Sequence, residues 1–82
     1  MAEMNKEQFE EKCMDIIEQI VARDVRQDRL GAIKVAELML KSAQEKTTNA
    51  QVLAIYERVL KEFKIATDAE YLLLRKQIFG EK

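Results

Sequence analysis

The sequence has no histidine and no proline, and it has only one cysteine and two glycines among its 82 residues. Without histidine there is no Ser-His or Cys-His nucleophile pair, no histidine metal site and no imidazole general base. The shortage of glycine and proline argues against a β-rich fold with many tight turns and favours a few helices joined by short loops. We therefore expect an all-α, non-enzymatic protein with no cofactor and no bound metal.

Disulfides and long apolar runs are also missing. Small secreted domains usually need several disulfides, so a lone cysteine predicts a reducing, cytoplasmic setting. No apolar run approaches the roughly 20 residues that cross a bilayer. The charged N-terminal segment does not have the pattern of a signal peptide. These absences lead us to expect a chain with no membrane association.

The charge is close to balance, with a formal net value of -1, but it is unevenly distributed. Up to Ala22 there are six acids and two bases, and the rest of the chain has nine acids and twelve bases. Neither half has the charge expected of a dedicated nucleic-acid binder. The N-terminal carboxylates could hold magnesium, but no Glu-x-x-Asp pair on a second helix accompanies them. They are best interpreted as a solvated helix start that the helix dipole favours.

The most informative stretch is Leu30 to Ala43. At 100° per residue its apolar and small residues fill an arc of roughly 220°, about twice what a helix on a globular surface needs. We expect this helix to be covered on two sides, by other helices or by another chain. In angular order the arc contains Leu38, Gly31, Ser42, Val35, Met39, Ala32, Ala43, Ala36, Leu40 and Ile33.

The whole chain, residues 1–82, is predicted to be one domain, an up-down bundle of four short helices at about 5–23, 29–45, 49–64 and 68–79. Three capping-box spacings, Asn5 with Gln8, Thr48 with Gln51, and Thr67 with Glu70, predict helix starts, and Gly80 predicts the last helix end. A shift in the phase of the apolar stripe indicates a break near 24–28, with Asp24 or Asp28 capping the second helix. Gly31 would permit close approach of another backbone there.

The other helices have narrower apolar stripes. Cys13 lies on the stripe of the first helix, where we expect it to be a small buried hydrophobic residue. Arg23, Arg26 and Arg29 could bind phosphate, but the interleaved Asp24 and Asp28 favour local ion pairs. The predicted core positions outside the second helix are Phe9, Cys13, Ile16, Ile17, Ile20, Val52, Ile55, Tyr56, Val59, Leu60, Phe63, Tyr71, Leu74 and Ile78.

The surplus apolar surface of the second helix suggests a protein-binding face, used for self-association or for a larger partner. Gly31, Val35, Leu38 and Ser42 form a seam at the edge of the arc, and Leu73 on the fourth helix points away from its own stripe. Leu40, in the middle of the arc, is expected to face the intramolecular core. The alternative is that the second helix is enclosed on all sides by its own bundle. We favour a non-enzymatic interaction module, an accessory subunit, inhibitor or regulator, that is not a monomer.

A helix-turn-helix nucleic-acid binder is the alternative function. The second and third helices are joined by a tight turn, and polar side chains stand where a recognition helix begins. That turn has no glycine, and few bases are available to contact phosphates, so nucleic acid is the less favoured partner. The residues that would bind it are Thr47, Thr48, Asn49, Gln51 and Arg58.

Overall fold

The computed structural model describes residues 4–80, which form four α-helices and no strand. This confirms the all-α prediction, and each predicted range agrees with its helix to within one residue at either end. The four helices are α1 (Lys6–Arg23), α2 (Arg29–Lys46), α3 (Ala50–Ile65) and α4 (Asp68–Phe79).

Two of the predicted capping boxes are confirmed. At the start of α1, Gln8 N donates to Asn5 Oδ1 at 2.8 Å and Asn5 N donates to Gln8 Oε1 at 3.1 Å. At the start of α4, Glu70 N donates to Thr67 Oγ1 at 3.1 Å and Thr67 N donates to Glu70 Oε1 at 2.8 Å. Each box satisfies two backbone N–H groups with side chains only three residues away, so the start of the helix can be predicted from the sequence.

The predicted cap of α3 is wrong by one residue. Asn49, not Thr48, is the N-cap, and its Oδ1 accepts from Gln51 N at 2.9 Å and from Val52 N at 3.3 Å. Thr47 Oγ1 in turn accepts from Asn49 N at 3.0 Å. Asparagine is preferred over threonine at this position, and a shift of one residue lets its side chain reach two free N–H groups.

The predicted break between the first two helices is confirmed. Asp28 is the N-cap of α2 and accepts from Gly31 N at 2.7 Å. Gln27 adopts a left-handed backbone with a φ of 59°, which is uncommon for a residue with a side chain. Its N–H donates to Asp24 Oδ1 at 3.0 Å, so the turn is fixed by the carboxylate at its start.

The first three helices alternate in direction. Met4 N lies 3.4 Å from Gln51 Oε1, and Glu10 pairs with Arg58 at 3.4 Å, so α1 and α3 run parallel. Only residues 47–49 connect α2 to α3, which makes these two helices antiparallel neighbours. The helical bundle is thereby confirmed, and α1 and α2 run in opposite directions.

The core lies where the four helices meet, and the fully buried residues of α2 are all small, with half-buried Ile33, Val35 and Met39 packed against the core beside them. Ala32, Ala36 and Ala43 are buried, which lets the backbone of α2 come close to α1 and α3. The larger core side chains come from the other helices. All of them were predicted except Val21, which is fully buried on α1 and was missed, and the other predicted positions of these helices are half-buried. The remaining buried hydrophobic residues are Cys13, Ile20, Val21, Ile55, Val59, Phe63 and Tyr71.

A buried carboxylate ties α4 to the rest of the fold. Asp24 is 3% exposed, and Tyr71, 1% exposed, donates its hydroxyl to Asp24 Oδ2 at 2.6 Å. Arg75 lies 3.6 Å from the same oxygen and donates to the backbone oxygen of Val21 at 3.3 Å. Burial, together with the hydrogen bond to Asp24, raises the pKa of Tyr71 to about 12.

A second ion pair holds the start of α4. Arg29 Nε lies 2.8 Å from Asp68 Oδ1, and Arg29 Nη1 lies 3.5 Å from the backbone oxygen of Phe63. The Tyr71 ring meets the Phe63 ring edge to face, with centroids 5.7 Å apart. Of the predicted local pairs, Arg26 with Asp28 is confirmed at 3.2 Å. Arg29 instead reaches across to α4.

Gly31 is required by the buried carboxylate. A Cβ built on Gly31 would overlap Asp24 Oδ1 and would also lie 2.9 Å from the Cβ of Arg26. The predicted close approach is therefore real, but the approaching group is a side chain and not a backbone. Because Tyr71 and the Gln27 N–H hold the carboxylate, it cannot simply rotate away.

We expect Tyr71→Phe to lower the free energy of unfolding by about 1.5–3 kcal/mol, since the hydrogen bond that it removes has a charged, buried acceptor. The control is Tyr56→Phe, the same change at the half-buried tyrosine of α3, which should cost less. Urea unfolding followed by circular dichroism measures both. Equal losses for the two variants would contradict the role given to Asp24.

Gly31→Ala is expected to destabilise the protein, although alanine is favoured over glycine in helices by about 1 kcal/mol. The overlap with Asp24 should outweigh this gain, because forcing atoms into a packed site typically costs about 1–3 kcal/mol. Thermal and urea unfolding give the sign directly. A stabilised Gly31→Ala protein would show that the carboxylate moves freely.

Candidate functional site

The wide apolar arc of α2 is covered in its middle and open at one edge. Ala36, near its centre, is buried against the neighbouring helices, whereas Leu38 at the edge is 68% exposed. Leu40, which the arc placed toward the core, is only half-buried. The predicted cover on two sides is thus found for the buried alanines Ala32, Ala36 and Ala43. The described residues do not cover the edge of α2 at Leu38.

The open edge borders a groove between α1, α2 and the start of α3. It encloses about 510 Å³, within the range of volumes at which proteins bind ligands or side chains of a partner. We call it the α2 groove. Its lining residues are Gln19, Arg23, Val35, Leu38, Met39, Ser42, Ala43, Lys46 and Tyr56.

The structure brings together three of the five residues predicted to bind a partner. Val35, Leu38 and Ser42 line the α2 groove at successive turns of the helix. Gly31 is buried against Asp24 and lies outside the groove lining. Leu73 is 57% exposed on α4, also outside this lining.

Sequence reasoning missed the residues that other helices supply to the groove. Gln19 and Arg23 are four residues apart on α1, and Tyr56 comes from the second turn of α3. The spacing of Gln19 and Arg23 places them on one face of α1, but it does not show that this face borders α2. Only the antiparallel packing of the helices supplies that information.

Among the described residues that line the groove, only Arg23 and Lys46 are charged. Within residues 4–80, neither forms an ion pair with a carboxylate. Each lies in the last turn of its helix, where a cation interacts favourably with the helix dipole. Because α1 and α2 are antiparallel, the two cations lie toward opposite ends of the groove.

A second groove lies between α1, α3 and α4 and encloses about 420 Å³. Its two charged residues are already engaged in the fold: Glu62 pairs with Arg58 at 3.1 Å, and Glu70 belongs to the α4 capping box. Exposed Met14 and Ile65 complete an apolar floor. Among the described residues its lining has no cation, and both of its carboxylates already make contacts within the fold, so it offers fewer free groups to a partner than the α2 groove.

The residues of the alternative nucleic-acid site serve structural roles. Thr47 and Asn49 accept backbone N–H groups at the α2–α3 turn, and Gln51 Oε1 accepts from Met4 N. Arg58 pairs with Glu10 and Glu62 and lies 6.0 Å from the centre of the Phe9 ring. Thr48 alone of the five is not used in this way within the described residues.

Cys13 is buried at 3% exposure, as predicted, and burial raises the pKa of its thiol. Across residues 4–80 no three His, Cys, Asp or Glu side chains lie close enough together to hold a metal ion. In the same range, no helix combines the length and the apolar character needed to cross a membrane. The α2 groove is the candidate site because it brings together three of the predicted partner-binding residues and two cations.

Comparison of the chain with protein-family models, curated proteins and solved structures finds no match. The function is accordingly inferred from the shape and chemistry of the groove.

Duplex DNA and RNA should bind no more tightly than about 10⁻⁴–10⁻⁶ M at physiological salt, the range of non-specific contacts. The reason is the net charge of -1 and the engagement of Arg58 by two carboxylates. Fluorescence anisotropy with labelled duplexes measures the affinity. A sub-micromolar complex with a steep salt dependence, lost in Asn49→Ala or Gln51→Ala, would instead support the helix-turn-helix alternative.

Proposed function

We propose that this protein is a non-enzymatic protein–protein interaction module that binds its partner through the α2 groove. The observation that carries this proposal is the exposure of Leu38, 68%, beside the half-buried Val35 and Met39 in one groove. An accessory subunit, an inhibitor or a regulator would all act through such a surface. Self-association through the same face is part of the proposal.

Covering the Leu38 edge of α2 with another molecule would be energetically favourable. Full burial of a leucine side chain contributes about 1.5–3 kcal/mol relative to full exposure, and most of that gain is still available at Leu38. A stable interface buries about 800 Å² on each partner, more than one groove edge offers. Leu73, exposed on α4, is a further contact residue in the proposal.

We expect Leu38→Lys to keep the helical circular dichroism of the protein and to abolish its association at micromolar concentration. The new charge would be solvated in the monomer but would have to be desolvated in the complex. Light scattering after size exclusion measures the mass, and affinity capture from lysate measures binding to other proteins.

Two controls accompany this variant. Ile65→Lys makes the same change at a residue that is 70% exposed on α3, away from the α2 groove, and should leave association unchanged. Ala36→Lys places the charge in the core at 2% exposure and should unfold the chain. Loss of association in Ile65→Lys but not in Leu38→Lys would move the interface to the groove between α1, α3 and α4.

A further inference from the structure

We infer that the α2 groove accepts an amphipathic helix of a partner protein that carries acidic side chains at both ends of its apolar stripe. This inference rests on the proposed function and adds the chemistry of the partner. It follows from the shape of the groove and from the two cations in its lining.

The shape suits a helix. The α2 wall of the groove runs from Val35 to Lys46, a rise of about 16 Å, or three turns. Apolar residues at Val35, Leu38 and Met39 line one part of this wall, and the small side chains of Ser42 and Ala43 leave room for a partner side chain in the next part. A helix laid in such a groove inserts side chains at positions i, i+3 or i+4, and i+7.

The charge determines which helix fits. Arg23 lies toward the end of the groove near the α1–α2 turn, and Lys46 lies toward the opposite end, next to the α2–α3 turn. Neither cation has a carboxylate partner within the described residues. Acidic side chains about three turns apart would meet both cations, whereas a basic helix would place like charges against them.

The same features disfavour a phosphate backbone as the occupant. Two cations offer few contacts to phosphates, which supply most of the affinity for nucleic acid, and the surface between the two cations is mostly apolar. A partner helix with an apolar stripe between two acidic ends matches both the apolar lining and the two cations of the groove.

The test is selection from a displayed library of three-turn helical peptides. The apolar positions i, i+3, i+4 and i+7 are fixed, and the flanking positions at both ends are randomised. Peptides selected on the wild-type protein should be enriched in Asp and Glu at both ends, and their binding should weaken as salt is raised.

Charge reversal tests whether Arg23 and Lys46 select the acidic ends of the partner helix. In the double variant Arg23→Glu with Lys46→Glu, the selected acidic peptides should bind about tenfold more weakly, and selection should favour Lys and Arg instead. The matched control is Lys34→Glu with Lys41→Glu, which makes the same change in net charge on the exposed face of α2, outside the groove lining. Binding to this control should be within a factor of two or so of wild type.

Selected peptides that lack acidic ends, or that are rich in Lys and Arg, would overturn the inference while leaving the proposed function intact. The same conclusion follows if no peptide is selected by a protein that self-associates through Leu38, since the occupant is then a second copy. If peptides are selected but bind Leu38→Lys as well as wild type, the proposed function itself fails.

Discussion

The buried carboxylate of Asp24 is the constraint that holds α4 against the α1–α2 turn. A charge taken out of water is costly unless hydrogen bonds and opposite charge compensate it. Here the compensation comes from three places along the chain: the Gln27 N–H in the loop, and Tyr71 and Arg75 on α4. The α1–α2 turn and α4 are thereby fixed by one side chain, and no buried polar side-chain atom in the described residues is left unpaired.

The position of α4 bears directly on the candidate site. Because Tyr71 and Arg75 reach Asp24 at the end of α1, α4 packs near that turn and contributes no residue to the lining of the α2 groove. The other described residues consequently leave the edge of α2 at Leu38 uncovered. The fully buried residues of α2 are small, so α2 packs closely against α1 and α3 through Ala32, Ala36 and Ala43, and Leu38 lies outside this contact.

Local chemistry accounts for what the sequence could predict. Capping boxes at Asn5 and Thr67 involve residues three positions apart, and apolar periodicity is a property of one helix at a time. The role of Asp24 could not be predicted in this way, because its partner Tyr71 is 47 residues distant along the chain. Likewise, the angular arc of α2 predicted Leu38 as an edge residue, but Arg23 enters the groove only through the antiparallel packing of α1 on α2.

The contact between Gly31 and Asp24 also constrains how this sequence can change over time. An alanine at Gly31 needs a smaller residue at Asp24, and a smaller residue there removes the acceptor of the buried Tyr71 hydroxyl. A phenylalanine at Tyr71 would in turn leave the carboxylate poorly compensated. We therefore expect distant relatives that have a side chain at position 31 to carry a residue smaller than aspartate at position 24 and to lack the tyrosine hydroxyl at position 71.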